Sequence, residues 1–342
     1  MKICFLSTGG TIASSPGKDG LAPTLTAEEL LEAVPELKKS SRVSISAKML
    51  MNVDSSNMQP EDWATISSTV HQALKEYDGV VIAHGTDTMA YTASALSFML
   101  GTLEKPVVLT GAQLPMHFKG TDARKNVRDA FTVASSKLAG VFVVFGGKII
   151  KGCRASKLHT KSFSAFASIN YPLVGTVRGG RINYGQGAVM TSEVKFPFDN
   201  RYCPDVFLLK LFPGTDPKVF DAVRSCGYKG VVIESFGAGG IPFRGRNLLA
   251  KIQEFVDAGI VTVVTTQCLY GGSDLTIYEV GQKTLKAGVI PGYDMTTEAL
   301  VTKVMWALGR TKDPAEVARI MATNYVGEVN LPNVRMETRT DW

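Results

Sequence analysis

Apolar runs open the chain and then recur at a regular spacing. Ile3 to Leu6 leads into the polar, glycine-containing stretch Ser7 to Thr11, and further apolar or β-branched runs follow at 43–49, 80–83, 107–110 and 141–145. Between them lie stretches of helical periodicity after Thr26, from Pro60 to Tyr77, from Ala90 to Leu100 and from Asp122 to Leu138. Short strands alternating with helices at this spacing predict βαβ units and a largely parallel sheet. Two helix starts have a local chemical cause. Thr26-Ala27-Glu28-Glu29 reads as a capping box, and Pro60 suits the first helical position, where no backbone donor is needed.

From about Gly175 to Asp205 the periodicity weakens into Gly-, Pro- and polar-rich sequence, which reads as a connection between domains. A second βα series begins with Val206 to Phe212, Val231 to Ser235 and Val261 to Thr265, with helices near Asn247 to Ala258, Thr296 to Leu308 and Pro314 to Met321. A length of 342 residues suits two domains of ordinary size. The predicted architecture is α/β: a larger N-terminal parallel-sheet domain of flavodoxin-like type over 1–185, a linker at 186–204, and a smaller C-terminal α/β domain over 205–342.

Composition narrows the functional classes. Lys plus Arg exceed Asp plus Glu by 37 − 31 = 6, but the charges are dispersed, so nucleic acid is not an expected partner. Nowhere do 18 apolar residues run together, and the N-terminus enters a strand without a charged leader, so neither a membrane span nor export is expected. Five cysteines without a C-x-x-C pair favour reduced thiols and a cytoplasmic location. The four histidines, His71, His84, His117 and His159, lack metal-ligand spacing, so each is expected to be buried or hydrogen-bonded, with no metal or cofactor.

Open α/β sheets bind ligands outside the carboxyl ends of their strands, and the polar clusters of this chain fall there. Ser7-Thr8-Gly9-Gly10-Thr11-Ile12-Ala13 follows the first strand; its glycines let backbone approach a ligand and leave Thr11 beside free amides, although a tight turn explains them equally well. A P-loop is excluded, because six residues separate Gly10 from Gly17-Lys18 and Asp19 stands where Ser or Thr would bind magnesium. Met51 to Asn57 carries Asp54, Ser55 and Ser56 ahead of a helix whose N-terminus favours an anion, with ordinary N-capping as the alternative. In His84-Gly85-Thr86-Asp87-Thr88 helix capping explains one residue, not all. In Arg154-Ala155-Ser156-Lys157 the lysine has little nearby acid, and a solvated surface lysine is the default.

Taken together, T-G-G-T-I-A at 8–13, D-S-S at 54–56, H-G-T-D-T-M-A-Y at 84–91 and R-A-S-K at 154–157 resemble the bacterial and archaeal type I asparaginases. T-G-A-Q-L-P at 110–115, G-A-G-G-I-P at 237–242, T-Q-C at 266–268 and A-G-V-I-P at 287–291 extend the resemblance over nearly the whole chain. It implies an L-asparagine amidohydrolase acting without a cofactor. It further implies Thr11 as nucleophile, Thr86, Asp87 and Lys157 as catalytic residues, and Asp54, Ser55, Ser56 and Asp87 as holders of the substrate's amino and carboxylate groups. The chemistry agrees: a threonine hydroxyl needs an adjacent base, and a lysine desolvated beside Thr86 can lose its proton and relay that basicity. Backbone amides near Thr11 and Ala112 are available for the oxyanion. The resemblance also implies a homo-oligomer, either a dimer or a dimer of dimers.

One departure stands out. Members of this family often carry Gly-Tyr where this chain has Gly20-Leu21, and leucine cannot hydrogen-bond. Tyr278 of a neighbouring subunit is the candidate replacement, with a packing role as the alternative. Three rivals compete with the hydrolase. A dinucleotide-binding protein is suggested by Gly237-Ala238-Gly239-Gly240 but opposed by Pro242 in the third glycine's place. A tRNA-dependent amidotransferase subunit would carry an extra N-terminal domain, and an inactive binding protein would explain Leu21.

Overall fold

The computed structural model describes residues 1–17, 20–38, 43–188 and 194–331. Its larger part is built on an eight-stranded sheet. In chain order the strands are β1 (Lys2–Gly9), β4 (Ser44–Val53), β5 (Gly79–Ala83), β6 (Pro106–Thr110), β7 (Gly140–Phe145), β8 (Lys148–Lys151), β11 (Gly175–Arg178) and β12 (Arg181–Tyr184). The remaining strands of this part form two small ribbons, β2 (Ser14–Gly17) with β3 (Gly20–Pro23) and β9 (Ala155–Lys157) with β10 (Phe166–Ser168). Spatial order in the main sheet is β12-β11-β8-β7-β6-β5-β1-β4, with β7 through β4 parallel and the other edge antiparallel.

Side-chain alternation along β1 decides which helices cover which face. Ile3 and Phe5 pack into one core with α1 (Ala27–Glu32), which the short α2 (Pro35–Lys38) follows, and with α5 (Ala123–Ala134). Cys4 and Leu6 pack into the other, with α3 (Pro60–Glu76) and α4 (Met89–Met99). The first helix after β1 therefore lies on one face of the sheet, and the helix after its parallel neighbour β5 lies on the opposite face. That divergence makes the topological switch point of the sheet, and the crevice it opens is where ligands of such sheets bind. The loops Gly9–Thr11 and His84–Thr88 flank it.

Helix α4 is buried along almost its whole length, because it is covered by the sheet on one side and by α9 (Thr297–Leu308) of the second part on the other. Apolar residues all round a helix have this physical meaning. The second part contains a four-stranded parallel sheet, β13 (Val206–Lys210), β14 (Gly230–Ser235), β15 (Val261–Thr266) and β16 (Ile290–Pro291), in that spatial order. Helices α6 (Lys218–Ser225) and α7 (Leu248–Asp257) cover one face, and α9 and α10 (Pro314–Ala322) join the opposite face to the α4 core. Helix α8 (Glu279–Lys286) precedes β16. The structure is thus mixed α/β, with a large, mostly parallel sheet and a separate smaller parallel one.

Both anticipated helix starts form as the sequence suggests. Thr26 accepts from Glu29 N at 3.1 Å while Glu29 accepts from Thr26 N at 2.7 Å, and α3 begins at Pro60. One expectation fails. The stretch read as the beginning of an interdomain connection at Gly175 instead completes the sheet as the hairpin β11–β12. Gly179 and Gly180, with φ of 56° and 72°, supply its two-residue turn, a conformation that L side chains rarely adopt. These strands are short and half polar because they form the sheet edge, which is why apolar periodicity does not reveal them.

Candidate active site

Four polar loops meet at the switch point, and their glycines are what allow the approach. A Cβ on Gly10, whose φ is +79°, would fall 2.3 Å from Gly85 Cα. A Cβ on Gly85 would fall 2.6 Å from Ser55 Oγ, and one on Gly111 would fall 2.4 Å from His84 O. The T-G-G-T, H-G-T-D and T-G-A-Q segments are therefore stacked backbone to backbone, with the Ser55 side chain of D-S-S packed on Gly85, and Thr11 and Thr86 each immediately follow one of the two touching glycines. Gly10 N donates to Val53 O at 3.2 Å, which ties the first loop to the strand leading into Asp54.

Lys157 enters from β9. Its Nζ donates to Thr86 Oγ1 at 2.8 Å and to Asp87 Oδ1 at 2.6 Å. The lysine side chain is 15% exposed and that of Asp87 is 64% exposed, so the pair lies at the rim of the crevice with the carboxylate still open to a second cation. The surface-lysine alternative is thereby overturned: the acid that Lys157 lacks in sequence comes from a different loop. Thr86 is buried and Thr11 is partly exposed. Ala112 is fully buried, and among the described residues no acceptor pairs with the backbone N–H of either Thr11 or Ala112.

The D-S-S turn has a more structural character. Asp54 caps the short turn Ser55–Asn57, accepting from Ser56 N at 2.8 Å and from the Ser56 hydroxyl. These hydrogen bonds, the side-chain one first, hold its carboxyl below the ordinary value. Buried Ser55 accepts from Asp87 N at 3.2 Å, and its carbonyl accepts from Thr88 Oγ1 at 2.7 Å, so it fastens the H-G-T-D loop in place. The N-terminus of α3 already carries Asp62, which accepts from Gln59 N at 2.8 Å.

Behind the loops, His84 is fully buried, and burial pushes its pKa down from 6.5 to about 4, against the opposing effect of its bond to Gly85. The neutral ring fits a complete chain of donors. Trp63 Nε1 donates to Thr92 Oγ1 at 3.1 Å, Thr92 meets His84 Nε2 at 3.0 Å, and His84 Nδ1 meets Gly85 O at 2.6 Å. Each group has its role filled if Thr92 donates to Nε2 and the ring proton sits on Nδ1. His71 stacks on Phe198 at 4.2 Å between centroids, whereas His117 and His159 are exposed, contrary to the expectation that all four would be buried or paired. Among the described residues no group of three or more His, Cys, Asp or Glu could hold a metal ion.

Tyr278 stands apart. It forms the N-cap of α8, is 58% exposed, and among the described residues makes no hydrogen bond to Thr11, Thr86, Asp87 or Lys157 of its own chain. Leu21 pairs with Pro16 in the β2–β3 ribbon, which starts three residues after Thr11. The glycine cluster at 237–240 closes on itself through two Phe236–Gly240 backbone bonds of 2.7 and 3.1 Å, and α7 begins only at Leu248, so it does not form a phosphate-binding strand-to-helix turn.

Residues 2–190 match the family model described as "Asparaginase, N-terminal", and residues 205–321 match "Glutaminase/Asparaginase C-terminal domain". The chain belongs to the asparaginase family. It is 45% identical over 335 residues to an L-asparaginase of Thermococcus kodakarensis, covering 96% of this chain and 99% of that one. The solved structure of the thermostable L-asparaginase from that organism superposes with a TM-score of 0.91 at the same identity, over 97% of this chain and all of that one. A probable cytoplasmic L-asparaginase from Campylobacter jejuni superposes at 0.82 with 28% identity, covering 94% of this chain and 99% of that one. A glutamyl-tRNA(Gln) amidotransferase component of Pyrococcus abyssi is 39% identical over 349 residues, but only 78% of its length is matched, by 98% of this chain. This asparaginase-family enzyme thus matches those L-asparaginases over nearly the whole of their length.

The buried His84 generates a pH prediction. Its folded pKa is depressed, so the stability it permits is fully present above 6.5 and is lost as pH falls from 6.5 towards about 4. The loss amounts to about 3 kcal/mol across that window, from roughly 1.4 kcal/mol per pH unit. Chemical denaturation at a series of pH values should show the unfolded state binding one more proton than the folded state, and His84→Gln should remove that slope. Identical pH dependence in the two proteins would contradict the assignment.

Proposed function

We propose that this enzyme hydrolyses the side-chain amide of L-asparagine to L-aspartate and ammonia, with Thr11 as its nucleophile. The observation that carries the reading is Lys157 Nζ bonded at once to Thr86 Oγ1 and Asp87 Oδ1, at 2.8 and 2.6 Å, beside the loop that bears Thr11. A threonine hydroxyl attacks an amide only when its proton has somewhere to go, and a hydroxyl backed by a lysine amine is such an acceptor. Thr11 Oγ1 attacks the amide carbon and its proton passes to the Thr86–Lys157 pair. The oxyanion is met by the backbone N–H groups of Thr11 and Ala112, each worth on the order of 3 kcal/mol of barrier if aligned. Ammonia leaves with a returned proton, and water then cleaves the aspartyl ester on Thr11.

Substrate holding divides between charges and hydroxyls. Asp54 and the exposed Asp87 are proposed to receive the α-ammonium and Ser55 to meet the α-carboxylate, while Ser56, whose hydroxyl and N–H donate to Asp54, is proposed to hold the Asp54 carboxylate in position. Ser55 Oγ acts as acceptor for Asp87 N, which leaves its own O–H to donate to an anion. The enzyme is proposed to act in the cytoplasm as a homo-oligomer, with 1–185 as catalytic domain, 186–204 as linker and 205–342 as the second domain. Tyr278, exposed on the second domain, is proposed to supply to a neighbouring subunit's site the hydroxyl absent at Leu21.

Variants of Thr11, Lys157 and Tyr278 test these assignments. Thr11→Ala should fold normally yet lose at least a hundredfold in ammonia release, and mass spectrometry of quenched enzyme should find an aspartyl adduct on the Thr11 peptide. Lys157→Met should lower kcat far more than it raises KM, whereas a pure rise in KM would show binding as the only role of Lys157. Activity above a tenth of the parent in Thr11→Ala, or an adduct on Thr86, would refute Thr11 as nucleophile. For the shared site, Thr11→Ala and Tyr278→Phe subunits should each be inactive alone and regain turnover when dissociated, mixed and reassembled. Full activity of Tyr278→Phe alone, or no recovery on mixing, would refute the role of Tyr278.

A further inference from the structure

Lys157 sits on a three-residue strand that is not part of the main sheet. Among the described residues β9 pairs only with the equally short β10, through Lys157↔Phe166, Ser156↔Ala167 and Ala155↔Ser168. A two-stranded ribbon of this length holds no fixed position unaided, and β9 has further support from α4 and from the second domain. The second-domain support is polar and specific. Along R-A-S-K, Arg154 and Ser156 bond to the segment Asp294 to Glu298, while Lys157 reaches the other way to Thr86 and Asp87, as side-chain alternation along an extended chain requires.

Each contact to that segment is at least partly buried. Arg154 is fully buried; its Nη1 donates to Asp294 Oδ2 at 3.0 Å and to Asp294 O at 3.2 Å, and its Nε donates to Gly327 O at 2.8 Å. Asp294 is fixed in turn by Asn330, whose backbone N and Nδ2 donate to its two oxygens at 2.8 and 2.7 Å. Ser156 Oγ donates to Glu298 Oε1 at 2.8 Å. Burial pushes the Glu298 carboxyl above its ordinary value, against its hydrogen bonds and with the charge of Glu234 adding to the rise. The Glu298 carboxyl is thus held at a desolvation cost by hydrogen bonds from Ser156, Thr296 and its own backbone, and Tyr293, the residue before Asp294, holds a left-handed φ of 52°. Strain and buried charge are concentrated at one segment of the second domain, facing the strand that carries the lysine.

We propose that Asp294 and Glu298 are positioning residues: through Arg154 and Ser156 they clamp β9 and set where Lys157 Nζ meets Thr86. The proposal rests on the catalytic role of Lys157. It gives the second domain a part in the chemistry of its own chain, because a shift of α9 moves Glu298 and with it the strand.

The test compares Ser156→Ala, Glu298→Ala and Glu298→Gln in the full-length enzyme, with kcat and KM for asparagine measured beside the melting temperature. Ser156→Ala removes one hydroxyl and leaves Arg154 paired, so it folds even if the glutamate variants do not. Ser156→Ala and Glu298→Ala should each lose at least tenfold in kcat with KM within about threefold. Glu298→Gln, which keeps an oxygen to accept from Ser156, should recover most of kcat. Values of kcat within twofold of the parent in Ser156→Ala would overturn the clamp, as would equal loss in Glu298→Gln and Glu298→Ala. If Lys157→Met is itself active, the lysine assignment fails. If Lys157→Met is inactive while Ser156→Ala is unimpaired, the clamp alone fails.

Discussion

Everything at the site depends on the chain crossing itself at Gly10 and Gly85 without side chains between. A Cβ on Gly10 would force the loops after β1 and β5 apart, and a Cβ on Gly85 would drive into Ser55 of the D-S-S turn. The parallel register of β1 on β5, from Ile3↔Gly79 to Ser7↔Ala83, brings the two strand ends level, and the glycines then close the gap. What the sheet supplies is direction. What the glycines supply is contact between backbones that bear the two threonines.

Around that contact the polar groups fall into two sets with different duties. His84, Thr92, Trp63, Ser55 and Thr88 are spent on holding the loops, each with its hydrogen bonds made inside the protein. Thr11, Asp87 and Lys157 retain exposure or open valences at the crevice. Removing a member of the first set is expected to act through geometry, and removing a member of the second through chemistry. Ser55 belongs to both sets in the proposed reaction, which makes it the residue whose substitution is hardest to interpret.

The sequence made the parallel core legible because fully buried strands and their helices carry a strong apolar rhythm, and because Thr26, Glu29 and Pro60 act locally at helix starts. It hid the β11–β12 hairpin, whose strands are half exposed, and the short ribbons, whose partners lie across loops. Glycine-containing motifs marked where the site would form, but not that Gly10 and Gly85 touch, since that requires two strands 76 residues apart to be neighbours. Lys157 looked solvated because its acid and its threonine are distant in sequence. Asp294 and Glu298 carried no signal at all: an acidic residue in the first turn of a helix such as α9 ordinarily answers to the helix dipole, and only the fold turns Glu298 towards Ser156.

The central claim is that the bare backbone contact assembles the reactive groups, and Gly10→Ala tests it most directly. The substitution adds one methyl group at a left-handed φ of 79° and touches none of the proposed catalytic side chains. Ammonia release from asparagine, measured on protein shown by circular dichroism and cooperative unfolding to be folded, should fall at least a hundredfold. A folded Gly10→Ala enzyme that keeps more than a tenth of the parent's activity would contradict the account.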